Sequence, residues 1–473
     1  MPPSSSLRGV TQLLRETVQP SFACRRLGEV QQTAYLSTSA PRFASVPKKK
    51  GLTAAPKKGT KTLNVKKGRK QSGGDTGKKP AVGERKAMRK AVVLSNNNAL
   101  EVSSLKNLDN ENVLDAEIAG KVYGIPDDAI DALRAVDAFK PKQGWKLFRR
   151  PAVVVRKEAM QLAQLIKEVE SGSEGAKKTV RRIITGERMS GKSTLVLQGL
   201  LMAHLRNWVV INLPEAQDLV NAHTEYAPLQ GSQPMQYTQD TYTANLLSQI
   251  LKANKQIADL PVTKEHSLPQ PLPPKATLRS LIDIGVATPE SSWSVFAALW
   301  EELTQPGRPP IMFAIDGLAH IMRNSEYLSA DVKPIHAFDL TIVRQFVDYL
   351  SGAKSLPNGG IIFAATSGSN SPTVDALNFS LQCAAARQFA PEKMPRWNPY
   401  TNLDMRVMEA LKDVDTLPLK GLTKEEARAL MEYYAESGML RAKVDDGLVG
   451  ERWALAGMGN IGELERTTVR MRV

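Results

Sequence analysis

The stretch GERMSGKS, residues 186 to 193, decides how the rest of this chain reads. It matches G-x-x-x-x-G-K-[ST], with Gly186, Gly191, Lys192 and Ser193 at the fixed positions and Glu187, Arg188, Met189 and Ser190 between them. The pattern has a direct chemical meaning. Glycines let the backbone close into a ring whose N–H groups point at phosphate oxygens. Lys192 supplies a point charge for the β and γ phosphates, the Ser193 hydroxyl is a Mg²⁺ ligand, and the Thr194 hydroxyl can bond the α phosphate. A helix starting at this point adds the positive end of its dipole.

The surroundings agree with the motif. A strand-like apolar run over 179–185 leads into it and a buried helix over 192–204 leads out. Further apolar runs follow at 208–212, 311–315 and 360–365, separated by helical patterns over 241–257, 278–284, 292–303 and 337–350. Short buried runs alternating with helices predict an α/β fold, a P-loop nucleotide-binding domain with a parallel sheet flanked by helices. Residues 213–240 read as a long polar loop, and the Pro-rich stretch 261–275 as extended chain. Upstream lie a helix over 127–136, an aromatic turn with Trp145 and Phe148, an amphipathic helix over 156–169 and a linker at 172–175. Downstream, the amphipathic pattern over 423–440 predicts a small helical C-terminal unit. The implied division is a presequence (1–45), a basic arm (46–100), a helical segment (101–178), the nucleotide-binding domain (179–390) and the C-terminal unit (391–473).

A second element supports the loop. IMFAIDG, residues 311 to 317, is a buried strand ending in Asp316, which suits a Walker B carboxylate holding Mg²⁺ through water. Many ATPases of this type carry a glutamate directly after that aspartate to polarise the attacking water, and here the residue is Gly317. Slow hydrolysis or none is therefore expected, with no catalytic residue assignable. Thr366, at the end of the 360–365 strand, and Arg323, after Asp316, are further candidates for reaching the γ phosphate. Asn254-Lys255-Gln256-Ile257 begins like the guanine-reading N-K-x-D but has Ile257 where Asp is needed, so it is set aside. The motifs leave ATP and GTP both open.

Bulk properties bound the rest. No apolar run approaches the roughly 20 residues of a membrane helix, so no membrane span is expected. The two cysteines, Cys24 and Cys383, and five scattered histidines show no metal-ligand spacing. Of the formal charge of +15, +14 lies in residues 48–90 and +3 before them, so the remainder carries −2. The charge belongs to one arm. Residues 1–45 are rich in Arg and Ser and poor in acids, the pattern of a mitochondrial presequence, with cleavage near Tyr35-Leu36-Ser37 or Arg42-Phe43-Ala44. Residues 46–91, with PKKKG and VKKGRKQSGGDTGKKP, have too few apolar groups to offset chain entropy and are expected to be disordered alone. Their lysines suit threading between phosphates, and the lack of aromatics points to structured RNA rather than stacked single strands.

Taken together, VYGIPDDAIDAL, KLFRRPAVVVRKEAMQLAQLI, GERMSGKSTLVLQGL, WVVINLPEAQDLVNAHTEYAP, IMFAIDG and LKGLTKEEARALMEYYAESGML resemble the mitochondrial small-ribosomal-subunit proteins of the death-associated protein three family. The resemblance spans roughly residues 120 to 445. It implies an AAA-related P-loop protein of the small subunit that binds GTP or GDP, with Mg²⁺. Gly186, Gly191, Lys192, Ser193 and Thr194 would form the phosphate loop and Asp316 the Walker B acid. Its partners would be mitochondrial ribosomal RNA and small-subunit proteins in the matrix, and no homo-oligomer is expected. A free matrix AAA-type ATPase is the alternative that Gly317 argues against.

Overall fold

Four of the apolar runs and one further segment become the strands of one parallel sheet: β1 (Thr179–Gly186), β2 (Val209–Leu213), β3 (Ile311–Asp316), β4 (Gly360–Ala365) and β5 (Asp415–Leu419). Their order across the sheet is β5-β1-β4-β3-β2, every neighbouring pair parallel. The computed structural model describes residues 92–172, 177–369 and 371–470. The expected presequence, and the arm up to residue 91, lie outside the described residues.

Side chains alternate across the pleat, which splits the sheet into two cores. Ile311, Phe313 and Ile315 of β3 face one core, and Met312 and Ala314 the other. On β4, Ile362 and Ala364 join the first core, while Ile361, Phe363 and Ala365 join the second. The longer helices, in chain order, are α1 (Asp127–Ala135), α2 (Lys157–Ser171), α3 (Lys192–Leu205), α4 (Asp240–Ala253), α5 (Leu278–Ala287), α6 (Ser292–Leu303), α7 (Thr341–Ser351), α8 (Asp375–Phe389), α9 (Lys424–Glu436), α10 (Asp446–Leu455) and α11 (Ile461–Thr468). Helices α1 to α3 cover the second face, and α4 to α8 the first. Helix α3 is apolar all round and buried along Leu195 to Ala203. At Gly199 a Cβ would lie 2.6 Å from Met312 and 2.8 Å from Leu162, so the missing side chain is what lets α3 lie between α2 and the sheet.

A third core joins the two ends of the described chain. The antiparallel strand pair Val122–Gly124/Ala152–Val154 and the turn with Phe148 pack against α9, α10 and α11 through Leu430, Met431, Tyr433, Tyr434, Val449 and Leu464. Phe148 stacks on Tyr434 at 5.4 Å. Glu426 closes a capping box with Thr423 at the start of α9 and also accepts the Lys157 N–H at the start of α2, 3.0 Å away. One carboxylate thus fixes the heads of two helices.

Three expectations need correction. Residues 213–240 are not one loop: they hold a short helix, Ala216–Val220, and the hairpin Ala227–Leu229/Gln236–Thr238. The expected helix over 241–257 stops at Ala253 and continues as a 3-10 turn, because Asn254 leaves the helix to bond both backbone groups of Val210 on β2 (2.7 and 2.9 Å). Residues 391–473 are not purely helical, since Asp415–Leu419 inserts as the edge strand β5 beside β1. Pro418 is tolerated there because an edge strand has one unpaired side. Among the described residues no helix is long and apolar enough to cross a membrane.

Candidate nucleotide-binding site

Strand β1 ends at Gly186 and α3 begins at Lys192, so residues 186 to 191 must turn the chain within a few ångströms of the sheet. Two glycines are required by the geometry. At Gly186 (φ +151°) a Cβ would fall 2.6 Å from the Leu419 carbonyl oxygen of β5. Gly191, the N-cap of α3, has φ +97°, a left-handed conformation that glycine adopts without the usual penalty.

The loop is held open from outside. The carbonyl of Arg188 accepts from Asn460 Nδ2 (2.9 Å), that of Met189 from the Gly462 N–H (3.1 Å), and that of Ser190 from Arg156 Nη1 (2.7 Å). The other terminal nitrogen of Arg156 donates to the Lys420 carbonyl. Because a trans peptide sets each C=O opposite the following N–H, tying these three carbonyls outward turns the N–H groups of Met189 and Gly191 inward, while that of Ser190 donates to the Glu187 carbonyl (3.4 Å). The first turn of α3 adds N–H groups that have no partner within the helix. The result is a concave array of donors with a helix N-terminus behind it, suited to an anion.

Lys192 is buried at 6% exposure and donates to the carbonyls of Gly186 (2.8 Å) and Glu187 (2.5 Å). Burial lowers its pKa, opposed by the nearby carboxylates of Asp316 and Glu187. An ammonium has three donors, so one remains unspent. The Ser190 hydroxyl is also buried without a partner. Glu187 and Arg188 are exposed and contribute backbone. Ser193 lies half-buried on the first turn of α3. Thr194 Oγ1, one residue on, accepts a bond from Gln143 Nε2 at 3.2 Å.

Asp316 closes β3 level with Ala365 of β4, which in turn pairs with Ile184 of β1. The register therefore sets the carboxylate two residues below the start of the loop, across one intervening strand. Its counter-charge is Lys140, whose Nζ lies 3.8 Å from Oδ2. Gly317 has φ +85°, and a Cβ there would meet nothing closer than 3.5 Å. The left-handed backbone, rather than packing, therefore favours glycine over glutamate there. Thr366 follows β4, and both its N–H (3.1 Å) and its hydroxyl (3.0 Å) donate to the Ile184 carbonyl. The hydroxyl keeps only acceptor capacity for anything else. Arg323 is exposed, and its side chain makes no hydrogen bond or ion pair with another described residue; only its carbonyl is engaged, by the Ala337 N–H (3.1 Å).

Five residues of the site carry no motif: Arg156, Asn460 and Gly462, which hold the loop, and Lys140 and Gln143, which approach Asp316 and Thr194. Their contacts cross 34 to 273 positions of sequence, so no local spacing reveals them.

The model of the family described as mitochondrial ribosomal death-associated protein 3 matches residues 153–467. The chain belongs to that family. Its location is accordingly the mitochondrial ribosome, within the matrix. Among curated relatives, the small ribosomal subunit protein mS29 of Neurospora crassa is 43% identical over 396 residues, covering 82% of this chain and 83% of its own length. The protein of the same name from Schizosaccharomyces pombe is 23% identical over 335 residues, with 69% and 67% covered. The family match spans all of the loop, its outward ties from Arg156, Asn460 and Gly462, and Asp316, while Lys140 and Gln143 fall before it.

Proposed function

We propose that this chain is a structural component of the small subunit of the mitochondrial ribosome that clasps a guanine nucleotide and Mg²⁺ in the loop at residues 186 to 193, with slow hydrolysis or none. The observation that carries the nucleotide reading is unspent hydrogen-bonding capacity in a buried, positively polarised loop. The Ser190 hydroxyl has no partner, and Lys192 retains one donor. Buried polar groups are normally satisfied; here phosphate oxygens would supply the missing acceptors. Ser193 and Asp316 would hold Mg²⁺, a hydroxyl and a carboxylate being the oxygen donors this ion takes. The ion would screen charge on the phosphates. Lys192 would bind the β and γ oxygens, the inward N–H groups would orient them, and the Thr194 hydroxyl would meet the α phosphate.

The strand order β5-β1-β4-β3-β2 supports the AAA-like reading, because β4 separates the loop strand from the Asp316 strand. Guanine rather than adenine rests on the family resemblance, and ATP is the competing ligand. Gly317 supports slow turnover, since no carboxylate follows Asp316 to activate water. The lysines of residues 48–90 would contact ribosomal RNA, and residues 1–45 would direct import. The relatives' name supports assembly with small-subunit proteins. The deciding experiment extracts nucleotide from purified small-subunit particles and identifies it by mass spectrometry. About one guanine nucleotide per chain is expected. Particles carrying none would overturn the clasp, and turnover above about 1 per second, in the ordinary enzyme range, would overturn the slow-hydrolysis reading.

A further inference from the structure

The turn between α1 and the strand Ala152–Val154 buries its aromatic side chains and holds two half-buried polar ones, Lys140 and Gln143, against the site. Phe139 and Trp145 are 4% and 6% exposed and meet edge to face at 5.3 Å. Asn212 of β2 donates to the Val136 carbonyl (2.9 Å), pinning the start of the turn to the sheet. Gln143 Oε1 accepts from the Lys140 N–H (2.8 Å) and from Trp145 Nε1 (2.6 Å), so its amide orientation is fixed. That leaves Gln143 Nε2 on the Thr194 hydroxyl at 3.2 Å. It leaves the Lys140 ammonium donating to the Pro214 carbonyl, just past β2, and 3.8 Å from Asp316. On its other side the turn abuts α11: a Cβ at Gly144 would clash with the Glu465 carboxylate. The same helix holds the Met189 carbonyl through Gly462.

We infer that Lys140 and Gln143 complete the nucleotide site from the N-terminal side. Lys140 is a resident cation that neutralises Asp316 and faces the terminal phosphate. Gln143 is a positioning residue that, by donating to Thr194 Oγ1, turns the Thr194 proton toward the α phosphate. The inference rests on the nucleotide reading above. Its distinctive consequence concerns the metal. With Mg²⁺ bound, the ion offsets the charge of Asp316 and the phosphates, and Lys140 is partly redundant. Without it, Asp316 would repel the phosphates, and Lys140 is the side chain within ion-pair distance that prevents this. Nucleotide binding should therefore survive chelation better than in a site lacking such a cation.

The test is calorimetric titration of GTP into the full-length chain, with Mg²⁺ and with excess EDTA, for wild type, Lys140→Met and Lys140→Arg. Wild type is expected to lose about tenfold in affinity on chelation. Lys140→Met should weaken binding two- to threefold with Mg²⁺ but about a further tenfold in EDTA, a step of about 1.4 kcal/mol, while Lys140→Arg stays near wild type. Melting temperatures without nucleotide should agree across the three, which separates a charge effect from loss of the Pro214 bond. If Lys140→Met follows wild type within twofold in EDTA, or loses equally in both conditions, the assignment of Lys140 is overturned and the clasp stands. If wild type binds nothing in either condition, the clasp and this inference fall together.

Discussion

Glu302 and Lys192 are both buried charges held by hydrogen bonds, and they differ in how fully they are used. Glu302, on α6, is completely buried. Its Oε1 accepts from the Thr263 N–H (2.9 Å), the Lys264 N–H (2.8 Å) and His266 Nε2 (3.1 Å). Its Oε2 accepts from the Thr263 hydroxyl (2.8 Å) and Arg308 (3.2 Å). Burial alone would raise this carboxyl, but the donors at Lys264, Thr263 and His266 outweigh it and hold it at about 2. Every lone pair is spent on the chain itself, which pins the start of the Pro-rich stretch to α6. Lys192 keeps one donor in reserve beside an unpartnered Ser190 hydroxyl. Saturation marks a structural charge. Reserve marks a site.

Breaking the saturated charge should have the largest effect. Glu302→Ala leaves two backbone N–H groups, a hydroxyl, His266 and Arg308 without their acceptor, and should cost about 3–5 kcal/mol of stability. Urea unfolding followed by tryptophan fluorescence reads this, and nucleotide affinity of the folded fraction should not move. A loss below about 1 kcal/mol would show the Pro-rich stretch to be anchored by other means. Acid offers the same test without mutation. The folded pKa is depressed, so the contribution is present above the ordinary value of 4.5 and is lost as pH falls from there through about 2. Stability should decline by roughly 3 kcal/mol over that window on account of this group, and Glu302→Gln should remove that part of the acid dependence.

Lys192→Ala inverts the pattern. Gly186 and Glu187 are exposed, so water can satisfy the carbonyls it releases, and a partly desolvated charge is removed. Stability should change by less than about 1 kcal/mol. Nucleotide affinity should fall roughly 10- to 150-fold, the worth of one hydrogen bond to a charged partner. A variant that lost stability but kept its nucleotide would make Lys192 a second structural charge and end the contrast.

The same distinction explains what the sequence could reveal. The loop, Asp316 and the central strands are local signals: a spacing of glycines, a run such as Ile361-Ile362-Phe363, a carboxylate at a strand end. They are legible because backbone geometry and burial impose them within a few residues. Strand β5 was not legible, since Asp-Thr-Leu-Pro-Leu has neither the length nor the β-branched content of a strand and becomes one only against β1. The short hairpin at 227–238 is hidden for the same reason. Glu302 and Arg156 carry no local signal, because the groups that satisfy them come from other elements. What holds the site together is tertiary, even where what defines it is a motif.

The smallest expected effect sharpens this last point. Asn460 donates to the Arg188 carbonyl at 2.9 Å, while its own Oδ1 is buried without a partner. Asn460→Ala removes one neutral hydrogen bond, worth about 1 kcal/mol, and also one unsatisfied oxygen. Stability should therefore hardly change, while the loop loses one of three outward ties and nucleotide affinity falls a few-fold. Asn460→Asp keeps the size but sets a carboxylate against a carbonyl oxygen, so the loop is pushed rather than released. If the tie orients the inward N–H groups, Asp must weaken binding more than Ala does. If Asn460 only fills space, Ala must be the worse of the two, and the order of the two affinities decides between them.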